Sequence, residues 1–438
     1  MLKREIGKWD LVLLLINSLI GAGIFGLPSK IFALSSWYSI PALLLTAAIV
    51  LILILNFAEV GSRFTKTGGP YLYTLKAFGR YPAFLMGWLL MITRLATYAA
   101  LVNLLPSYLS FFFPSIGLFW GRIGIIFSIT AFFTFINYRG IKNSTRWNNG
   151  LAIGKIIPLA LFIGIGLFFV QADLVKIPQE LPKLSGVSQS IFLLIFAFTG
   201  FEAIIVSTGE IKSPHKSIPF ALVFSLIFVS LFYGLIQFVS IGTLPNLANS
   251  EKPLADAAQL FMGKSGALLI TLGAFISVCG TLNTVMLIGG RIPFALAEEN
   301  QIPSFLAKIH PNFHTPTRSL LLFASLAFLV SISGTFIYAL KISVISKVMI
   351  FLIVSASLIQ LRRKMTSQIN YFRLSWGKTF AWIGIILSLI LLFTAKLEEF
   401  KAVIITLIIG SILNFIYQYY LKINRSKEDK NKKNAPLE

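Results

Sequence analysis

Against an apolar background, a few residues have the types and spacing to do chemistry. Three glycines and a proline crowd into Ile20-Gly21-Ala22-Gly23-Ile24-Phe25-Gly26-Leu27-Pro28. An acid, Glu202, closes the run Phe196-Ala197-Phe198-Thr199-Gly200-Phe201. Two cations, Arg94 and Lys155, each lie inside an apolar run of their own. Glycine lowers helix propensity, and proline removes a backbone donor and clashes with the preceding turn, so a helix entering the first stretch is expected to break there. The N–H and C=O groups released at a break are tolerated at bilayer depth only where protein encloses them or they line a wet cavity. Free N–H groups at the start of a half-helix favour an anion, and the carbonyls ending one favour a cation. The chemistry on offer is therefore non-covalent recognition. The half-helix after Gly23 suits a carboxylate, the carbonyls near Ala197 and Phe198 suit an ammonium, and a zwitterion fits between them. A close-packed helix interface would use the same glycines, since small residues are common there too.

A carboxylate at bilayer depth costs about 2.5–3.5 kcal/mol on insertion scales, and such residues face cavities and mark pathways. Two interrupted helices in corresponding halves of a chain point to a transporter. Arg94 lies about 16 Å inside its run, too deep to snorkel easily, so it needs an interior partner. Glu202 is one, and backbone carbonyls or a wet vestibule are others. Lys155, in Gly154-Lys155-Ile156-Ile157-Pro158, lies about 10 Å along its run and can snorkel part of that distance. Its neighbours Gly154 and Pro158 equally suit a close-packed, kinked interior. Phe25, Phe196, Phe198, Phe201 and Tyr98 are aromatic candidates for lining a pocket, or for packing in a chain with 40 Phe.

The elements that must position these groups follow from hydropathy. The chain has 438 residues, 56% of them hydrophobic and only 12% charged. Its mean hydropathy is +0.82, far from the range of soluble domains. Twelve apolar segments are read near 10–34, 39–62, 83–110, 121–138, 148–171, 188–211, 217–243, 265–292, 318–335, 338–360, 378–396 and 401–421. Each approaches the roughly 20 residues that cross about 30 Å of hydrocarbon. The first runs past the length of a signal-peptide core and is expected to be retained.

The net charge of +22 does not indicate nucleic acid, because the basic residues fall in the gaps between segments. Alternate gaps carry the clusters Lys3-Arg4, Arg63 to Arg80, Arg139 to Arg146 and Arg362 to Lys378, whereas the others hold scattered single cations. By the positive-inside rule, both ends are cytoplasmic and the protein is a multi-pass component of the plasma (inner) membrane, in contact with anionic lipid. Residues 68–81 read as an interfacial helix and 292–317 as short cytoplasmic helices. Residues 422–438 form a basic cytoplasmic tail expected to be disordered.

The expected fold class is an all-α integral membrane protein of twelve transmembrane helices, forming a single domain over 1–421. The breaks fall in segments one and six. Five spans between them reverse the second copy, which yields a 5+5 inverted repeat over about 10–171 and 188–360, with two added helices over 378–421. Cys279 permits no internal disulfide, and His215, His310 and His314 lack metal-ligand spacing. Neither a metal, a cofactor nor a nucleophile–base constellation is read, so the protein is not expected to be an enzyme.

The sequence resembles the amino acid–polyamine–organocation transporters. Ile20-Gly21-Ala22-Gly23-Ile24-Phe25 with Leu27-Pro28, Gly87-Trp88, Phe196 through Glu202, Glu210-Ile211-Lys212-Ser213-Pro214 with Ile218-Pro219, and Gly290-Arg291 through Ala297-Glu298 with Thr315-Pro316 carry the likeness. They keep the family's order across residues 10–320. The resemblance implies the leucine-transporter fold and secondary active transport by alternating access. It places an amino acid at Ile20 to Phe25, with Tyr98, and at Phe196, Ala197, Phe198, Gly200 and Phe201. It also implies a gating or proton-linked role for Glu202, and hence a neutral substrate. Lys155 resembles the lysine that some proton-coupled relatives place where sodium-coupled ones hold an ion. There it would meet carbonyls around Ile20 and Gly21 and the hydroxyls of Ser277 or Thr281, with protons as the coupling partner. Proton-coupled symport of a neutral amino acid is therefore the expected function. Amino acid exchange and transport of cationic amino acids or polyamines are alternatives within the class. A substrate-gated channel or membrane sensor on the same scaffold is the alternative outside it, although a channel would need a continuous polar lining.

Overall fold

The structure, a computed structural model, describes residues 2–109, 115, 118–178, 182–333, 336–365, 371–393 and 397–433. Helix occupies all twelve apolar segments. Segment one is split into α1 (Lys8–Leu19), a 3₁₀ turn (Ala22–Phe25) and α2 (Leu27–Ser35). Next come α3 (Ser39–Ser62), the short α4 (Pro70–Phe78), α5 (Arg80–Leu109), α6 (Phe119–Tyr138) and α7 (Ile141–Gly166). Segment six is split into α8 (Leu184–Ala197), α9 (Phe201–Ile204) and a 3₁₀ turn (Ile205–Glu210). The remainder is α10 (Pro214–Thr243), α11 (Pro253–Gly289), α12 (Arg291–Glu298), α13 (Thr317–Ile332), α14 (Phe336–Lys364), α15 (Gly377–Phe393) and α16 (Leu397–Lys433).

Eight helical stretches among the described residues are long and apolar enough to cross a membrane, and three shorter apolar helices accompany them. The chain is a multi-pass membrane protein. Its outer helices turn apolar stripes outward: Ile404, Ile405, Ile408, Ile409 and Ile412 of α16 are all exposed. At that helical spacing they form one apolar face, as expected of a helix on the outside of a membrane bundle.

The interior is arranged around α1, which packs against α7, α10 and α11. Below its start, the segment before α1 pairs with the chain after α9. Glu5 and Ile6 donate their N–H groups to Glu210 O, and Lys212 N donates to Ile6 O. Glu210 in turn accepts both Nε and Nη2 of Arg291, each at 2.9 Å, with both side chains fully buried. A second buried carboxylate, Glu59, binds Arg63 at 2.7 Å and both Nε and Nη2 of Arg362, tying α3 to α14.

Three details differ from the sequence reading. The expected interfacial helix, α4, buries Tyr71, Tyr73, Thr74 and Ala77 against the bundle instead of lying on its surface. Gly263, at φ +67°, interrupts α11 and separates a leading stretch, Pro253 to Met262, from the apolar segment proper. The tail expected to be disordered is helical as far as Lys433, because a helix already nucleated in an apolar run extends one residue at a time without a new nucleus. Residues 434–438 lie outside the described residues.

Candidate functional site

The first break is built from the end of α1. The last carbonyls of a helix have no partner within it, and here three other helices supply donors. Lys155 of α7 donates its ammonium to Asn17 O at 2.9 Å, to Ile20 O, and to Ser277 Oγ of α11 at 3.3 Å. Ser277 also donates to Ile20 O at 3.0 Å, and Tyr233 of α10 donates to Leu19 O at 2.9 Å. Thr281 donates to Ser277 O at 3.0 Å and lies 3.5 Å from Asn17 O. A cation at a helix C-terminus also meets the negative end of the helix dipole. The Lys155 side chain is fully buried, so its charge is held by these oxygens and not by water.

The other side of the break is open. A Cβ added at Gly21, Gly23 or Gly26 would meet no atom within 4 Å, so these glycines are not a packing face. Glycines that do serve close packing contrast with them: one added at Gly280 would run into the Asn17 amide. In a 3₁₀ turn over Ala22–Phe25 the leading N–H groups, those of Ala22 and Gly23, have no partner within the turn. They form an anion-favouring edge beside open space.

The second break abuts the first. Gly200 has φ +125°, a region that favours glycine, and an added Cβ would lie 2.7 Å from Ser18 Oγ and 2.8 Å from Ser18 O. Ser18 donates its hydroxyl to Gly200 O at 3.1 Å. Glu202 folds back on its own turn, accepting Gly200 N at 2.7 Å, while its other oxygen accepts Arg94 Nη2 at 2.9 Å. Both charged side chains are buried. Of the partners open to Arg94 in the sequence, the geometry selects Glu202. The acid thus holds the shape of the break, and Arg94 ties that shape to α5. Glu202→Gln keeps an acceptor for Gly200 but leaves the guanidinium without its counter-charge. It should lower stability by about 1–3 kcal/mol and impair transport. Unchanged thermal unfolding in detergent, with unchanged transport rates, would count against both roles.

The aromatic candidates have different neighbours. Phe198 sits against Tyr233, ring centroids 5.4 Å apart, on the wall of the first break. Phe201 stacks on Phe351 at 5.5 Å and meets Phe57 edge-on at 5.2 Å, so it packs α9 between α3 and α14. Phe25 is half-buried near Gly273 of α11. Tyr98 belongs to a separate apolar cluster with Ile126, Phe133, Val278 and Leu282, and donates to Thr130 of α6 at 3.1 Å. The structure thus seats Tyr98 among α5, α6 and α11, its phenol hydrogen-bonded to a neighbouring hydroxyl. The side chains of Ala22 and Phe196 lie outside the described residues, whereas the backbone of Ala197 ends α8.

One residue escaped the sequence reading. Lys347 of α14 donates to Thr199 Oγ1, within the second break, at 3.1 Å. Its signal was available: an ammonium about 14 Å inside the run 338–360 is subject to the depth argument that singled out Arg94.

Comparison with known proteins identifies the family. The family model for amino acid permeases matches residues 6–422. The branched-chain amino acid permease BcaP of Bacillus subtilis is 27% identical over 97% of this chain and 95% of its own length. The serine/threonine exchanger SteT of the same organism is 31% identical over 72% of this chain and 73% of its own. A methylthioribose transporter, again from B. subtilis, is 26% identical over 95% of this chain and 94% of its own. With breaks that abut at the bundle centre and a family match across nearly its whole length, the chain belongs to the amino acid permeases of the amino acid–polyamine–organocation superfamily and is an amino acid transporter.

Proposed function

We propose that the protein is a proton-coupled symporter of a neutral amino acid, working by alternating access. The observation that carries the proposal is the Lys155 ammonium, which joins Asn17 O and Ile20 O at the end of α1 to Ser277 of α11. A fixed cation takes the place a sodium ion would need, and its loss of a proton would release α1 from α7 and α11. The substrate's carboxylate binds the free N–H groups of Ala22 and Gly23, and its ammonium binds the carbonyl end of α8 near Ala197 and Phe198. Glu202, held by Arg94, gates the second break. In this reading the twelve segments are twelve spans, the two halves form an inverted repeat about the touching breaks, and both termini are cytoplasmic. Similarity to a branched-chain permease supports the neutral substrate. Exchange is the second reading, favoured by the likeness to the serine/threonine exchanger.

Uptake of labelled amino acids into proteoliposomes separates these readings. Symport predicts accumulation driven by an inward proton gradient into vesicles without internal substrate, unaffected by replacing sodium with choline. Sodium-stimulated uptake, or uptake only into preloaded vesicles, would overturn it.

A further inference from the structure

Among the described residues three cations and one acid lie about the two breaks, and their hydrogen bonds are unequally filled. Glu202 uses one oxygen for Arg94 and the other for Gly200 N. Lys155 has three acceptors for its three N–H donors: two carbonyls and a hydroxyl. Lys347 has one, the Thr199 hydroxyl. Among the described residues no carboxylate lies within 4 Å of it. The residue keeps part of its accessible surface, and among the described residues the Thr199 hydroxyl is the one hydrogen-bond partner of its three N–H donors.

We propose that Lys347 is a specificity-determining residue whose ammonium donates to an oxygen acceptor on the substrate's side chain. The inference rests on the substrate lying between the two breaks, as proposed above. Water can satisfy the spare donors before binding. A substrate that displaces it must restore those bonds, or leave a charged donor unpaired in a poorly polar site. A hydroxyl or amide oxygen does so, and an aliphatic side chain cannot. A cationic side chain would face Lys347 and Arg94 with Glu202 the one carboxylate among the described residues to offset them, which disfavours cationic amino acids and polyamines. Sites built to hydrogen-bond a polar group reject isosteres lacking it far more strongly than apolar pockets reject a surplus methylene.

The test uses near-isosteric pairs, threonine against valine and asparagine against leucine, titrated by thermal shift on the purified full chain. The wild type should bind the oxygen-bearing member about 10- to 100-fold more tightly, the range for a hydrogen bond to a charged group. Lys347→Met should bring each ratio within about threefold, and Lys347→Arg should preserve it. Valine and leucine binding as well as their partners in the wild type would overturn the inference. So would unchanged ratios in Lys347→Met, or lysine binding more tightly than asparagine. If Lys347→Met does not fold, the wild-type ratios and those of Lys347→Gln still decide. Glutamate binding above glutamine, with that preference lost in Lys347→Met, would support the role of Lys347 while overturning the neutral-substrate reading. A Gly23→Leu variant that still binds, beside ratios that depend on Lys347, would fault the carboxylate placement alone.

Discussion

Lys155→Ala should abolish accumulation of substrate against its gradient. For one proton carried per substrate, each pH unit across the membrane is worth about 1.4 kcal/mol, or tenfold accumulation. A gradient of two units, alkaline inside, therefore sets a limit of roughly 100-fold for the native protein. Without the ammonium, Asn17 O loses its charged donor, and Ile20 O keeps only Ser277. The proton has no site that joins α1 to α7 and α11. Accumulation should fall to equilibrium with the outside, whatever the pH gradient. Counterflow, which needs alternating access but no driving ion, should persist at a reduced rate. That persistence separates an uncoupled protein from an unfolded one. A Lys155→Ala variant that still concentrates substrate in proportion to the proton gradient would refute the assignment. Accumulation that becomes sodium-dependent would support it, since the oxygens of Asn17, Ile20, Ser277 and Thr281 would then be free to hold a cation.

Gly23→Leu should eliminate substrate binding without unfolding the protein. A Cβ at Gly23 meets nothing within 4 Å, so the side chain enters open space instead of the core. The cost to folding should stay near the small propensity difference between glycine and leucine, under about 1 kcal/mol. The cost to binding is much larger, because leucine occupies the space in front of the Ala22 and Gly23 N–H groups. Loss of a charge-assisted hydrogen-bond pair, together with steric exclusion, should weaken affinity by more than about 1000-fold. Equilibrium binding in detergent and the thermal midpoint, measured on the same sample, check both halves. Retained affinity would sink the placement of the carboxylate. Gly200→Leu should behave oppositely and fail to fold, since its Cβ would strike Ser18 and its backbone lies at φ +125°. The contrast between two glycines in equivalent breaks separates open space from close approach.

Some of this was determined by the sequence alone. Helices 20 residues long with few charges follow from hydropathy, and each apolar segment is helical in the structure. The breaks at Gly21 to Pro28 and around Gly200 were legible because glycine and proline act locally, on φ, ψ and the backbone donor, wherever the chain places them. Arg94, Lys155 and Glu202 were legible because charge at bilayer depth demands a reason irrespective of fold. Lys347 satisfied the same criterion, and its position inside 338–360 was enough to find it.

Only the tertiary structure decided how these groups combine. Arg94 and Glu202 are 108 positions apart, and Lys155 and Ile20 135 apart. No periodicity can tell which face of α5 turns to α9 or which carbonyls of α1 lie under α7. The fates of the aromatics were settled in the same way: Tyr98 found Thr130, and Phe201 found Phe57 and Phe351. In a chain so rich in phenylalanine every apolar face can be buried or turned to lipid at little cost, so composition does not choose between lining and packing. The glycines of the two breaks posed the same ambiguity, which ended once the surroundings were seen to be open at Gly23 in the first and filled at Gly200 in the second. Local backbone chemistry determines where a helix must break. What the break faces depends on neighbours that are distant in sequence, and that is fixed only when the bundle packs.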